Sequence, residues 1–527
     1  MAKYILLRIL RSLLSAVVVV AVVMALVYGC LDRELIFAAD PNFNHVKGNA
    51  RQVYKLQQWE RYGYVDYVPY TDFLRQAVTG GAMTAEAFDA SATLGRTAAQ
   101  DSPATAAAVE AFTAEYTARG YTVTRLDGKL RAGTQKYQDG GEPRLYAYRD
   151  VPLAKRLLSY FAGLIQVDTT AYVKEPLPQR GLTFTLRDPV YGGKRFSPAV
   201  LGSGTYHKYL LYCDSRFPFV HQNAIKLRLG SSYSVNQGVD VFDTMTRPQG
   251  ALRKTVITYP TGLTEESADD LHTVVYAAGS LEKGGEVLQS RFTDDYTALS
   301  VNRAGKSKLG YSFTIGLLAV ILSYAIAVPL GVFMALHKGR LADRLGTGYI
   351  VFITAVPSLA YIFLFKAIGG ALGLPTTFDM ESPTASMYVL PVASLALPAA
   401  SSLMKWLRRY MVDQLHADYV KFARAGGLSE GEIFTKHILR NAIIPLVHGI
   451  PASVLGALVG AIITERVYVV PGAGNLLSRA INSYDNGVIV GVTLFYAVLS
   501  AASVILGDLL LGAVDPRISF VRGNGHG

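Results

Sequence analysis

Cysteine and histidine are scarce in this 527-residue chain, which has two Cys (Cys30 and Cys213) and nine His. Two cysteines exclude a disulfide-dense scaffold and a four-cysteine zinc site, leaving room for a single bridge at most. The histidines show no H-E-x-x-H pairing, so a metalloprotease helix is excluded as well. Charge is also sparse: 17% of residues are charged and 50% hydrophobic, with a mean hydropathy of +0.25. A water-soluble enzyme seldom carries that balance. The 49 Gly and 22 Pro follow no fixed period, and the apolar content is ample for a core, which excludes collagen-like and disordered chains. Acidic residues are outnumbered 40 to 51, giving a formal charge of +11. Such a surplus suits nucleic acid, or the cytoplasmic loops of a membrane protein, and the placement of the charges decides between them.

Six runs are free of charge and about 20 residues long or more, the length that crosses a hydrocarbon core. They are Ser12 to Leu31, Leu309 to Leu336, Leu345 to Phe365, Ser382 to Met404, Asn441 to Thr464 and Gly487 to Gly507. Lys3, Arg8 and Arg11 precede the first. Alternate crossing then groups Lys338, Arg340 and Arg344 with Lys405, Arg408, Arg409, Lys421, Arg424, Lys436, Arg440, Arg517 and Arg522 on that same side. The connections 371–381 and 466–486 hold only Arg466 and Arg479. Positive charge collects on the cytoplasmic side, so both termini are expected inside, and the basic surplus needs no nucleic acid.

The block 32–308 is too long and too polar for a loop and is expected to be a separate extracellular domain. Thr84 to Arg119 and Val151 to Ile165 read as helical, Gly181 to Tyr212 as strands, and Asp127-Gly128 as a hairpin turn between Thr122-Val123-Thr124 and Leu130. The domain is therefore expected to be α+β. The resulting boundaries are 1–31 for the tail and first span, 32–308 for the outer domain, 309–520 for the remaining five spans, and 521–527 for a cytoplasmic tail.

Three segments imitate known chemistry. Gly305-Lys306-Ser307 ends like a phosphate-binding loop but lacks the first glycine, has no evident strand before it and stands ahead of an apolar span, so Lys306 and Lys308 read as interfacial anchors. Gly427-Leu428-Ser429-Glu430-Gly431 matches the nucleophile elbow, yet it follows a helical stretch, and Ser429 with Glu432 spells a capping box. Tyr28-Gly29-Cys30 resembles a lipoprotein cleavage site, but Tyr28 is bulky where a small residue is required, so the first span is expected to be retained.

The connection His416 to Arg440 carries the strongest functional signal. It begins Asp418-Tyr419-Val420-Lys421-Phe422-Ala423-Arg424-Ala425-Gly426-Gly427 and closes on His437, Arg440, Asn441 and Pro445. The spacing predicts a helix, a glycine break and a capped second helix leading into the next span. A plain connection would need no such elaboration. Small residues at its corner permit close approach by a cytoplasmic partner.

This run resembles the EAA loop of inner-membrane subunits of binding-protein-dependent ABC importers, and is most similar to the dipeptide/oligopeptide permeases of the first-subunit type. Asp418, Tyr419, Val420, Ala423, Arg424, Ala425, Gly427, His437, Arg440, Asn441 and Pro445 carry the likeness. Gly426 stands where that family often has Lys, and Lys421 where a leading Glu is usual. Glu465-Arg-Val-Tyr-Val-Val-Pro471-Gly472-Ala-Gly474 resembles the family's E-x-V-F-x-x-P-G-x-G, and Asp515-Pro516-Arg517-Ile518 its closing D-P-R-I. Leu229-Gly230-Ser231-Ser232 is loosely similar to the family's G-D-x-G-x-S segment. The large outer domain is similar in arrangement to that of Ami-type oligopeptide permeases.

The resemblance implies the six-helix fold of type I importers and ATP-driven import by alternating access. It implies no cofactor in this chain, ATP and Mg being bound by two partner ATPases. A second permease and an extracellular substrate-binding lipoprotein complete the expected set, with a peptide as cargo. Residues 416–440 are expected to form the ATPase-coupling segment, in which Leu428, Ser429 and Glu432 join the matched positions. Pro357, Pro391, Pro398, Pro445 and Pro451 are expected as kinks, and Gly456 and Gly460 as a close-packing G-x-x-x-G pair. Two rivals stand: a related importer for nickel or sugar conjugates, and a membrane-anchored sensor or surface enzyme. Five spans beyond the one an anchor needs argue against the second.

Overall fold

The computed structural model describes residues 2–167, 173–177, 180–187, 196–213, 220–222, 225–234, 237–380, 384–459 and 461–514. Helix α1 (Ala2–Cys30) holds the first apolar run up to Cys30, a free exposed thiol. The Asp515–Ile518 motif, Arg517, Arg522 and Gly460 lie outside the described residues.

Between α1 and the next long apolar helix the chain builds an insert of helices and small antiparallel sheets. Its first lobe holds α2 (Gly48–Arg61), β1 (Val65–Pro69), α3 (Tyr70–Thr79), α4 (Ala85–Ala92), α5 (Pro103–Ala118), β2 (Thr122–Leu126) and β3 (Arg144–Asp150). Strand β3 lies between β1 and β2. The helical stretch expected over Thr84 to Arg119 is thus two helices. The second starts where Ser102 accepts from the Thr105 N–H and Pro103 occupies the first turn, which has no use for an N–H. Tyr70, Leu74, Phe112 and Tyr116 fill the core beneath them. The hairpin expected at Asp127-Gly128 is not there. Leu126 pairs with Arg144 instead, and the intervening excursion is pinned at both ends by the Asn49 amide, which donates to Asp127 O (2.8 Å) and Glu142 O (2.9 Å).

Helix α6 (Leu153–Gly163) follows within the expected Val151–Ile165 stretch and leads into β4 (Ile165–Val167). Strands β5 (Gly181–Thr185), β6 (Ala199–Ser203), β7 (Tyr209–Cys213) and β8 (Val220–Gln222) form a four-stranded sheet; the first three match the Gly181–Tyr212 region read as strands, and β8 lies beyond it. Strand β9 (Ile225–Leu227) returns to pair with β4. After the short α7 (Val241–Thr246) come the hairpin β10 (Thr255–Thr258) and β11 (Thr264–Ser267), then β12 (Asp269–Tyr276), α8 (Ser280–Lys283), α9 (Gly285–Arg291) and β13 (Tyr296–Val301), with β12 and β13 paired. Strand β13 therefore precedes Gly305-Lys306-Ser307, contrary to expectation. Ser307 nevertheless caps the next helix, and Lys306 and Lys308 are engaged by Thr314 and Gln249.

The membrane part runs α10 (Lys308–Leu336), α11 (Leu341–Ala355), α12 (Ser358–Ala371), α13 (Val389–Leu415), α14 (Asp418–Ala425), α15 (Glu430–Glu432), a π-helical stretch (Ile433–Leu439), α16 (Arg440–Val459), α17 (Ile462–Val467), α18 (Ala473–Asn482) and α19 (Asn486–Val514). Among the described residues, five helices are long and apolar enough to span a bilayer. The third apolar run instead makes the pair α11 and α12, bent by 111°. Pro357 explains the break: the residue before a proline is pushed out of helical conformation, and Val356 has ψ of 130°. Pro329, Pro398, Pro445 and Pro451 sit inside helices, whereas Pro391 occupies a first turn. Packing of α10 with α13 and of α16 and α1 with α19 forms the bundle core.

Candidate functional site

Two places bring sequence-marked residues together, and a third joins the insert to the membrane part. The first is the corner from Asp418 to Arg440. Its inner face is apolar: Val420, Ile433 and Ile438 are buried with Leu407, Met411, Ala442 and Leu446, so the corner is keyed into α10, α13 and α16. Gly427 adopts φ of +83°, a left-handed turn that a side chain resists, and the Leu428 N–H donates back to Ala423 O (3.2 Å). Ser429 and Glu432 complete the capping box. The outer face is braced by Arg424 to Glu430 (2.6 Å), Lys436 to Glu432 (3.2 Å) and Lys421 to Asp418 (2.8 Å). Tyr419 donates to Gln414, and its ring lies 6.4 Å from that of His437. Arg440 and Asn441 open α16. Ala425 is exposed and Ala423 half-buried. At the tip, Phe422 is 76% exposed and Leu428 39%, an apolar pair that the chain itself leaves uncovered. The π-helical stretch behind it is a form that recurs at functional sites.

The second place is a cavity of about 380 Å³ between α10, α13, α16 and α17, lined by hydroxyls of Ser312, Ser323, Tyr324, Ser402 and Ser453 and by Glu465. Glu465 is only 2% exposed. Its carboxylate accepts from Ser312 Oγ (2.6 Å), the Ala461 N–H (3.3 Å) and the Asn475 N–H (3.1 Å), while Ser312 Oγ accepts from the Ala473 N–H (2.8 Å). Ser312 and Glu465 thus cap the start of α18 from outside it, satisfying amides that a helix leaves bare. This explains the spacing of Glu465, Pro471, Gly472 and Gly474. A Cβ on Gly472 would stand 2.4 Å from the Glu465 carboxyl carbon, and one on Gly474 3.1 Å from its oxygen. Pro471 O accepts from Gln249 (3.1 Å), which ties this turn to the insert. Gly456 does not make the close helix contact expected of it: it lines the cavity and has open space where a Cβ would go. The tight approach occurs one residue on, where Gly316 meets Ala457.

The third place escaped sequence reading. Asp485, fully buried, accepts from Ser232 Oγ (2.7 Å) and from the Tyr233 and Ser234 N–H groups (2.9 Å each), joining the insert to the start of α19. Next to it, the Asn486 amide donates to Tyr64 OH (2.5 Å). The Leu229–Ser232 segment hinted at a site, but nothing in the sequence named its partner some 250 positions away.

Residues 327–520 match the family described as binding-protein-dependent transport system inner membrane component. Over the full length of both chains, the sequence is 34% identical to the oligopeptide transport system permease protein AmiC of Streptococcus pneumoniae. The chain belongs to this permease family. It is 32% identical to the dipeptide transport system permease protein DppB of Bacillus subtilis, over 42% of this chain and 71% of that one. A solved structure of the MetNI methionine ABC transporter in an inward-facing conformation aligns at 14% identity and a TM-score of 0.33, over 40% of this chain and 94% of that one. As a family member, this permease is a membrane subunit of an ABC transporter, and its α-helical membrane part with the sheet-bearing insert agrees with the fold expected from sequence.

Proposed function

We propose that this permease forms half of an oligopeptide pathway and couples it to cytoplasmic ATPases through the corner 416–440. One observation carries the reading: an apolar tip, Phe422 and Leu428, stands on a corner whose inner face is locked into three membrane helices. A push on that tip is transmitted to α10, α13 and α16, the helices that also line the cavity. Full-length likeness to an oligopeptide permease supports peptide as cargo.

The partners on this reading are a second permease, two ATPases that hold ATP and Mg, and a substrate-binding lipoprotein. The insert, 32–308, and the 371–381 connection face outward, both termini face the cytoplasm of a Gram-positive cell, and 309–520 carries the pathway. In the test, labelled peptide uptake and ATP hydrolysis are measured in cells or liposomes carrying the assembled transporter. Phe422→Asp is expected to lower both roughly tenfold or more, as loss of an interface anchor does, while the complex still inserts. Uptake of nickel or a sugar conjugate in place of peptide overturns the cargo assignment, and full activity of the Phe422→Asp complex overturns the coupling role.

A further inference from the structure

The β4–β9 ribbon is built inside out. Ile165 pairs with Leu227 and Val167 with Ile225, so four apolar side chains share one face, and Gln166 and Lys226 share the other. The apolar face is open: Ile165 is 60% exposed, Val167 51%, Ile225 57% and Leu227 41%. On the opposite face Gln166 is exposed and half-buried Lys226 lies 3.3 Å from His207 Nε2. A ribbon on a wet surface turns its apolar face to the core instead.

The ribbon's roots indicate what meets that face. Leu164, just before β4, and Leu229, just after β9, pack with Val20 and Met24 of α1 and with the first turns of α19. The Arg228 N–H donates to Leu164 O (2.8 Å), closing the ribbon at this base. Met24 and Val20 lie within the first apolar run, about 9–15 Å along the helix before its end at Cys30. A three-residue strand reaches only about 10 Å, so a ribbon rooted there ends close to or below the level of Cys30. The neighbouring helices carry open apolar side chains of their own: Val22 and Leu26 of α1 are 53% and 57% exposed, and Leu158 of α6, the helix packed on α1, is 73% exposed.

We propose that the β4–β9 ribbon is a hydrophobic wedge seated among the acyl chains of the leaflet on the insert's side, the long side chain of exposed Arg228 reaching from its base to the headgroups. Only the choice of leaflet rests on the topology proposed above. The insert would then be held by the bilayer as well as by α1 and α19.

The test uses single cysteines at Ile165 or Ile225 in the assembled transporter, with Cys30 and Cys213 replaced by Ser. They are spin-labelled and reconstituted in phosphatidylglycerol-containing liposomes. Leu26→Cys serves as the lipid control and Val256→Cys in β10 as the water control. Accessibility to oxygen and to a water-soluble nickel chelate is then read from power saturation. Both ribbon labels are expected to match Leu26→Cys, with high oxygen and low chelate accessibility, whichever leaflet holds them. High chelate accessibility shows a wet surface, and low accessibility to both reagents shows a protein neighbour such as the second permease. Either result overturns the wedge. A shift of Ile225→Cys alone away from the lipid pattern also overturns it, because the two positions share one face.

Discussion

At the scale of single residues, the interior of this permease is organised by two buried carboxylates with different tasks. Glu465 caps a helix beside the cavity, and Asp485 binds the insert to α19. Asp485→Ala removes the acceptor of the Tyr233, Ser234 and Val488 N–H groups, each such loss costing about 1–3 kcal/mol. Its expected outcome is a clear drop in thermal midpoint and early proteolytic cleavage within 228–246. An unchanged midpoint would show that the joint does not depend on this side chain. A third carboxylate makes the first lobe sensitive to acid. Burial pushes Asp101 upward, but hydrogen bonds from Arg125 (2.7 and 2.9 Å) and the Gly95 N–H (2.7 Å) outweigh it and hold the carboxyl below its ordinary 3.8. A lowered folded-state pKa gives stability that is fully present above the unfolded value and disappears as pH falls through the folded one. Protection of the Gly95 amide, corrected for intrinsic exchange, is therefore expected to persist at neutral pH and to be lost only as pH falls below the ordinary carboxyl value of 3.8. Asp101→Asn is expected to weaken that protection at neutral pH and to flatten its acid dependence.

At the scale of elements, the corner 418–440 and the bent pair show how local grammar shapes a membrane helix. Gly427 has open space around it, so a substitution there meets backbone strain before it meets any neighbour. Asn tolerates the left-handed region and β-branched residues do not. Gly427→Asn is expected to retain most uptake and Gly427→Val to lose it, with both complexes assembled. Equal loss in both would place the defect in contact with the ATPase and not in the turn. The corner was legible because capping and glycine breaks act within a few residues. The bend at Pro357 was foreseen only as a kink, because the 111° angle between α11 and α12 depends on what each half packs against.

At the scale of the whole molecule, the insert is best tested by excision. Val65 and Asp150 pair across adjacent strands, so residues 66–149 can be replaced by a short glycine linker without stretching the chain. The excised permease keeps Asp485 and its partners. If the insert is a docking collar for the binding protein, uptake and binding-protein association should fall while basal ATP hydrolysis survives. Full uptake by an assembled, excised complex would remove the collar role. Orientation is checked separately with Cys30 replaced by Ser: an impermeant maleimide should reach a cysteine at exposed Val287 from outside the cell and one at Ser429 only from inside. Outside labelling at both would end the proposed topology.

The sequence by itself determined the apolar runs, the charge asymmetry between their connections, the capped corner and the family, since each is a property of neighbouring residues or of composition along the chain. It also foretold an insert of mixed helix and strand, because hydrophobic period is local. Tertiary structure alone decided what the motifs are for. Glu465 and Gly472 are seven positions apart, yet their spacing makes sense only with Ser312 from another helix beside them. Asp485 reads as an ordinary loop acid until Ser232, Tyr233 and Ser234 close around it. Strand β2 reads toward a tight turn until Asn49 holds a longer excursion in place. Hydrogen-bond partners and burial depend on distance in space, and a linear pattern carries no record of which distant segment will satisfy a buried polar group.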